Sequence, residues 1–296
     1  MTTDQDQAFG DSARRFLFED ADVRGQTVHL DAAYREILSI HEYAPGVSRL
    51  LGEFLAASVL LATNLKFEGK LVLQARSGGE VPLLMAECDD QLHIRGIARG
   101  AEQATSRDNA MLLRDGQLAI TIDPTNGQRY QGVVPLADGS LSHSLDAYFE
   151  QSEQLGTRIW LAADGNGAGG LLLQQLPPQV TGDEAARQAQ WEHYSSLAAT
   201  ISDQELVGLD PQALLFRLYH DEKVRLFERD PVAFSCSCSE QRSRNALSAL
   251  APAELEEILS ESGVISVDCE FCNQQFRFAR EDLGELLGAD ESKTLH

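Results

Sequence analysis

The sequence predicts an α+β protein: a mostly antiparallel sheet with packed helices, then a helical stretch, then a small cysteine-bearing module. Three observations predict it. Apolar runs of strand length are joined by hairpin turns rather than helices, which favours antiparallel pairing. Helical periodicity takes over after Pro177-Pro178, a pair that fits neither a helix interior nor a central strand. Four of the five cysteines lie in the last quarter of the 296 residues. The boundaries that follow are 1–178 for the core domain, 179–231 for a helical linker and 232–296 for the C-terminal domain.

In chain order, 31–43 has helical spacing and Pro45-Gly46 breaks it. A longer helix over 47–66 is apolar at Leu50, Leu51, Phe54, Leu55, Leu61 and Leu65. Its densest apolar run, 54–62, is short of the ~20 residues a membrane span needs, so a buried core helix is expected. Strands follow over 71–73, 81–86 and 92–98, with Asp89-Asp90-Gln91 as a turn. Strands over 117–122 and 129–134 flank the hairpin loop Asp123-Pro124-Thr125-Asn126-Gly127. A helix over 144–155 and strands over 159–163 and 171–176 complete the first part. Between the last two strands, the run from Gly165 to Gly170 fits GxGxxG. A dinucleotide site needs a helix next, and a strand follows instead, so a hairpin loop is the reading.

In the linker, Thr181 to Glu184 and Ser202 to Glu205 match capping boxes. Asp210-Pro211 supplies an N-cap and a first-turn proline for a helix over 212–219. Trp191, Tyr194, Ala198 and Ile201 share a face. Short amphipathic helices are expected from 181 to about 230. Their apolar side must cover something, since ~50 residues build little core alone. The last part reads as a helix over 241–250, a second opened by Pro252 and closed by Gly263, strands over 264–267 and 276–278, a terminal helix, and a frayed tail after Gly288.

Charge narrows the function. With 46 acids against 24 bases the formal charge is −22, which repels nucleic-acid phosphates and anionic lipid. Residues 1–20 carry Asp4, Asp6, Asp11 and Glu19 and no apolar signal region, so a cytoplasmic address is expected. His41, His93, His143, His193 and His220 show no metal spacing, no serine lies in a nucleophile elbow, and Cys88 reads as a buried strand residue. An enzyme is not expected.

The cysteines form Cys236-x-Cys238 and Cys269-x-x-Cys272. Four thiolates match a closed tetrahedral zinc site, one ion per chain, with no open position for catalysis. The C-terminal domain is thus expected to be zinc-binding. A purely structural zinc, a redox switch and structural disulfides all remain open from the spacing. From Cys236 to the C-terminus there are 12 acids and 5 bases, with Arg242 the nearest cation in sequence and Arg244 close behind it. Zinc would be the main factor lowering the thiol pKa values, and oxidation that removed the ligands would remove the fold.

The chain resembles the thirty-three-kilodalton heat-shock protein family of redox-regulated holdase chaperones. The resemblance runs through residues 60–69, Arg129-Tyr130-Gln131-Gly132-Val133-Val134, residues 148–155, Gly169-Gly170-Leu171-Leu172-Leu173-Gln174, Arg217-Leu218-Tyr219-His220 and both cysteine pairs. It implies an α/β domain, a helical linker and a zinc switch. It also implies zinc ligands at Cys236, Cys238, Cys269 and Cys272, and disulfides Cys236–Cys238 and Cys269–Cys272 on oxidation. Unfolding client proteins are then bound without ATP, commonly by a homodimer, with no nucleic acid or membrane involved. Ser243 stands where the family often has a further cysteine, and Gly156 where it often has proline. Closing a disulfide between Cys236 and Cys238, one residue apart, requires a local bend, so Cys269–Cys272 is expected to close first. The alternative is a zinc-ribbon-type interaction or nucleic-acid module with a structural metal.

Overall fold

The protein is described from a computed structural model, which covers residues 10–64, 68–136, 139–152 and 155–288. It divides into two compact units, Met1–Ser235 and Cys236–His296.

The first unit opens with β1 (Ser12–Phe18), β2 (Val23–Leu30), α1 (Ala32–Leu38) and α2 (Pro45–Asn64). Then come β3 (Gly69–Arg76), β4 (Leu83–Asp89), β5 (His93–Arg99), α3 (Asn109–Leu112), β6 (Gln117–Pro124) and β7 (Tyr130–Pro135). After α4 (Leu141–Ser152), β8 (Thr157–Ala163) and β9 (Ala168–Gln175), three helices follow: α5 (Glu184–Ala198), α6 (Asp203–Gly208) and α7 (Pro211–Tyr219). β10 (Val224–Pro231) and β11 (Ala233–Phe234) close the unit.

The strands form a five-stranded sheet, β10-β1-β2-β9-β8, and a six-stranded sheet, β11-β5-β4-β3-β6-β7. Pairing is antiparallel as the hairpin signals predict, except that β11 lies parallel to β5. The run containing Gly165 is the hairpin between β8 and β9, with Ala163 paired to Ala168.

Helix α2 holds the two sheets together. Its Leu50, Phe54, Leu55 and Leu60 share one buried cluster with Val28, Leu30 and Leu172 of the first sheet and with Leu71, Leu73 and Ile94 of the second. Apolar neighbours on both sides explain its apolarity all round. The buried core helix is present as expected, although the length argument does not hold for the helix as a whole. Pro45–Thr63 is long and apolar enough to cross a membrane by length and composition, and 78% of its apolar window is buried inside the protein. Residues 65–66 of the expected helix lie outside the described residues, as do 153–154 of the helix expected over 144–155 and the tail from 289 onward.

Strands β1 and β2 escaped the sequence reading, as did the two-residue β11. β2 is interior to the sheet and its Gln26, Thr27 and His29 are buried. They read as a polar run because their partners are remote: Thr63 Oγ1 donates to Gln26 Oε1 at 2.5 Å, and a His29 ring nitrogen lies 3.1 Å from the Val207 carbonyl. β1 carries Arg14 and Arg15, which mask the alternation of Phe16 and Phe18. Two other expectations change. α1 stops at Leu38, where Ser39 Oγ donates to the Glu36 carbonyl at 2.7 Å. Residues 224–231 form strand β10, paired with β1, rather than helix.

Two predictions follow from this core. Leu60 is fully buried and lies against Gly170, where an added Cβ would meet its Cδ1 at 2.8 Å. Leu60→Ala should lower unfolding stability by ~2–5 kcal/mol, measured by urea denaturation. Glu53, also on α2, accepts from Asn109 Nδ2 at 3.2 Å, and burial lifts its carboxyl from the ordinary 4.5 to about 7 despite Arg49. The folded state therefore holds this proton more tightly than the unfolded chain, and the group's contribution to stability falls as pH rises from 4.5 to about 7. Glu53→Gln should remove that part of the stability–pH slope.

Candidate metal centre

The second unit contains α8 (Glu240–Leu247), α9 (Pro252–Ser262), β12 (Ile265–Asp268), β13 (Gln275–Phe278), a 3-10 turn Arg280–Leu283 and α10 (Gly284–Leu287). Local signals explain each boundary. Ser239 caps α8 by accepting the Arg242 N–H at 3.2 Å. Pro252 opens α9, and Gly263 closes it in the left-handed region at φ 73°. β12 and β13 pair antiparallel from Ile265–Phe278 to Asp268–Gln275. Among the described residues the buried apolar cluster is Leu247, Leu255, Leu259, Ile265, Phe278 and Leu283, a small core for about sixty residues.

The β12–β13 connection builds half of the site. Cys269 N–H donates to the Gln274 carbonyl at 2.9 Å, and Asn273 N–H donates to the Cys269 carbonyl at 2.7 Å. Asn273 sits at φ 56°, a left-handed position that asparagine tolerates well. This turn folds Cys269 and Cys272 to one side. Cys236 and Cys238 supply the other half from the segment before α8.

The sequence-predicted residues come together. The four cysteine sulfurs lie within 4.8 Å of one another, and the cluster could hold a metal ion. Sγ of Cys236 is 3.7 Å from that of Cys269, and Sγ of Cys238 is 3.4 Å from that of Cys272. No disulfide joins them. A tetrahedron of sulfurs ~2.3 Å from a central zinc has edges of about 3.8 Å, so donor type and spacing fit that ion. Burial raises the thiol pKa values of Cys238 and Cys272, and neighbouring cysteine sulfurs push that of Cys238 further in the same direction. Arg242 and Arg244, which follow Cys238, are engaged elsewhere: Arg242 with Ser237 Oγ at 2.8 Å and Arg244 with Glu240 at 3.4 Å. Ser243 is buried in α8.

Within the first unit, the helices expected to cover something cover the outer face of the five-stranded sheet. Trp191, Tyr194, Ala198, Leu206, Leu214, Leu215, Leu218 and Tyr219 share a cluster with Phe16, Phe18, Val23, Leu171 and Leu173. Ile201 packs against it. The Ser202–Glu205 capping box and the Asp210 cap with Pro211 are both present, whereas α5 is capped by Asp183 rather than Thr181. Phe18 stacks on Tyr194 at 3.9 Å and meets Tyr219 edge-on at 4.9 Å. Sequence reasoning missed Phe16 and Phe18 with strand β1; their i, i+2 spacing before a turn was the available signal. Cys88 is fully buried in β4, as expected.

A family model described as Hsp33 protein matches residues 11–279. The chain is 52% identical over 285 residues to the 33 kDa chaperonin of Azotobacter vinelandii, covering 95% of this chain and 96% of that protein. It is 50% identical over 286 residues to the 33 kDa chaperonin of Pseudomonas aeruginosa strain PAO1, covering 96% of each. A crystal structure of the 33 kDa chaperonin from Thermotoga maritima superposes with a TM-score of 0.77 at 22% identity, covering 93% of this chain and 97% of that one. That likeness supports the fold.

The aromatic contact between α5 and β1 gives a test. A double-mutant cycle of Phe18→Leu and Tyr194→Leu should show a coupling of ~0.5–1.5 kcal/mol in unfolding stability.

Proposed function

The chain belongs to the Hsp33 family, a family of chaperones, and from that premise we propose that it is a redox-regulated, ATP-independent holdase of the cytoplasm. It binds unfolding client proteins and catalyses no reaction. The observation that carries this reading is the convergence of four cysteine sulfurs within 4.8 Å of one another in a unit with few buried apolar side chains. Cys236, Cys238, Cys269 and Cys272 are the ligands of one zinc in the reduced state, and the functional parts are the core 1–178, the linker 179–231 and the switch 232–296. When bound, zinc keeps the thiols deprotonated and cross-links the two halves of the switch.

On oxidation each neighbouring pair closes. Two thiolates, one hydrogen peroxide and two protons from solvent would give one disulfide and two waters, the peroxide taking the two electrons from sulfur. Two disulfides remove all four ligands, and the small core left behind does not hold the switch folded. The linker then releases from the sheet, exposing the aromatic and leucine faces of α5–α7 and β1. Apolar burial is worth ~25 cal/mol per Å², so an interface of a few hundred Å² gives several kcal/mol gross before ordering entropy, enough to dock and small enough to reverse. The oxidised form works as a homodimer.

Charge argues against the alternative of a nucleic-acid module: acids dominate the cysteine unit itself.

The decisive experiment measures zinc content and suppression of client aggregation before and after peroxide at raised temperature. The expected result is one zinc per reduced chain, released as holdase activity rises. Activity independent of zinc release would reject the switch. Replacing all four cysteines with serine should abolish zinc retention; a variant that keeps its zinc rejects the ligand assignment. Timed peptide mapping should find Cys269–Cys272 before Cys236–Cys238, since the former pair already sits in a turn.

A further inference from the structure

The main chain enters α5 through Leu176-Pro177-Pro178-Gln179-Val180-Thr181, and its donors have one destination. Proline has no N–H, so this stretch offers four. Leu176 N–H donates to the Asp22 carbonyl at 2.7 Å. Gln179 and Val180 N–H donate to Asp22 Oδ1 at 3.0 and 2.9 Å, and Thr181 N–H donates to Oδ2 at 3.2 Å. Asp22 lies in the turn between β1 and β2 and is 4% exposed. It is not the cap of α5, a role Asp183 fills with its bond to Ala185 N–H.

A second contact reaches into the helix itself. Arg187, on the first turn of α5, stands 3.6 Å from Asp22 Oδ2 and donates to the Leu176 carbonyl at 2.7 Å. Burial opposes ionisation of Asp22, but the three amide donors and Arg187 outweigh it and hold the carboxyl below its ordinary range. Further along, the same helical segment is tied by contacts nearer to water. Glu222 meets His193 at 2.8 Å, and Lys223 meets Asp20 at 2.9 Å with both side chains about two-thirds exposed. Exposed pairs of that kind contribute little, whereas a desolvated carboxylate holding three amides is strong.

We propose that Asp22 is a positioning residue that latches the linker to the core sheet and sets how readily α5–α7 come away, independently of the cysteines. This deepens the chaperone reading and rests on it in one respect: the linker is the part that must release for activity. The chemistry of the latch requires a carboxylate, because both oxygens accept. An amide in its place turns an –NH₂ toward one of the backbone donors and removes the charge that faces Arg187.

The test uses the full-length, reduced, zinc-loaded chain with Asp22→Asn, and Arg187→Gln as a second variant that leaves the three amide bonds in place. Hydrogen exchange should speed up at least tenfold in 179–198 for Asp22→Asn and less for Arg187→Gln, with α2 unchanged and one zinc retained. Exchange within twofold of the parent in 179–198 would overturn the latch, and so would an equal loss of protection in α2, which marks general destabilisation. Client aggregation is assayed in parallel without oxidant. Loosened α5–α7 with holdase activity supports both the latch and the linker-release reading. Loosened α5–α7 without activity supports the latch and rejects the linker-release reading.

Discussion

Four cysteine sulfurs packed within 4.8 Å of one another cannot all give up their protons unless a cation offsets the charge. That constraint governs the C-terminal unit. Its apolar core is small, its acids outnumber its bases, and Arg242, Arg244 and Arg280 are turned to Ser237, Glu240 and Glu256. The left-handed Asn273 and the turn at Cys269 are spent on bringing sulfurs together rather than on burying apolar surface. On the proposed reading, a unit arranged in this way would owe its fold to the cation that neutralises those sulfurs, which would make its chemistry and its stability one variable.

The first unit follows the opposite logic. α2 lies in a cluster drawn from both sheets, so apolar packing joins the two halves of the scaffold. The outer face of the five-stranded sheet is covered by α5–α7, whose aromatic side chains interlock with β1. The covering layer is therefore built on a sheet that is already anchored from its other side. Under the proposed release, the layer would come away while the sheet beneath keeps its packing on α2.

Much of this was legible in the amino-acid order, for physical reasons. The hairpins were announced by Asp-Asp-Gln and Asp-Pro-Thr-Asn-Gly, the linker helices by Ser202, Glu205 and Asp210-Pro211, and the cysteine cluster by spacing alone. What stayed hidden depends on distant partners. β2 reads as polar because Gln26 and His29 are satisfied by Thr63 and Val207, far along the chain. β10 takes its strand form from pairing with β1. The true cap of α5 is Asp183, whose side chain accepts the Ala185 N–H, while the Thr181 N–H goes to Asp22, far back in the chain. Local patterns reveal local structure, and a polar side chain reveals little until its partner is known.

The place of α2 in the chain has a consequence for synthesis. The helix ends at Asn64, but strands β8 and β9, which seal one of its sides, finish at Gln175. Translation at ~5–20 residues per second leaves that interval open for several seconds or more. During that time the nascent chain carries a twenty-residue apolar helix with half of its enclosure still unmade. A protein of a chaperone family thus passes through its own aggregation-prone adolescence, and how quickly its late strands close determines how much of it survives to work.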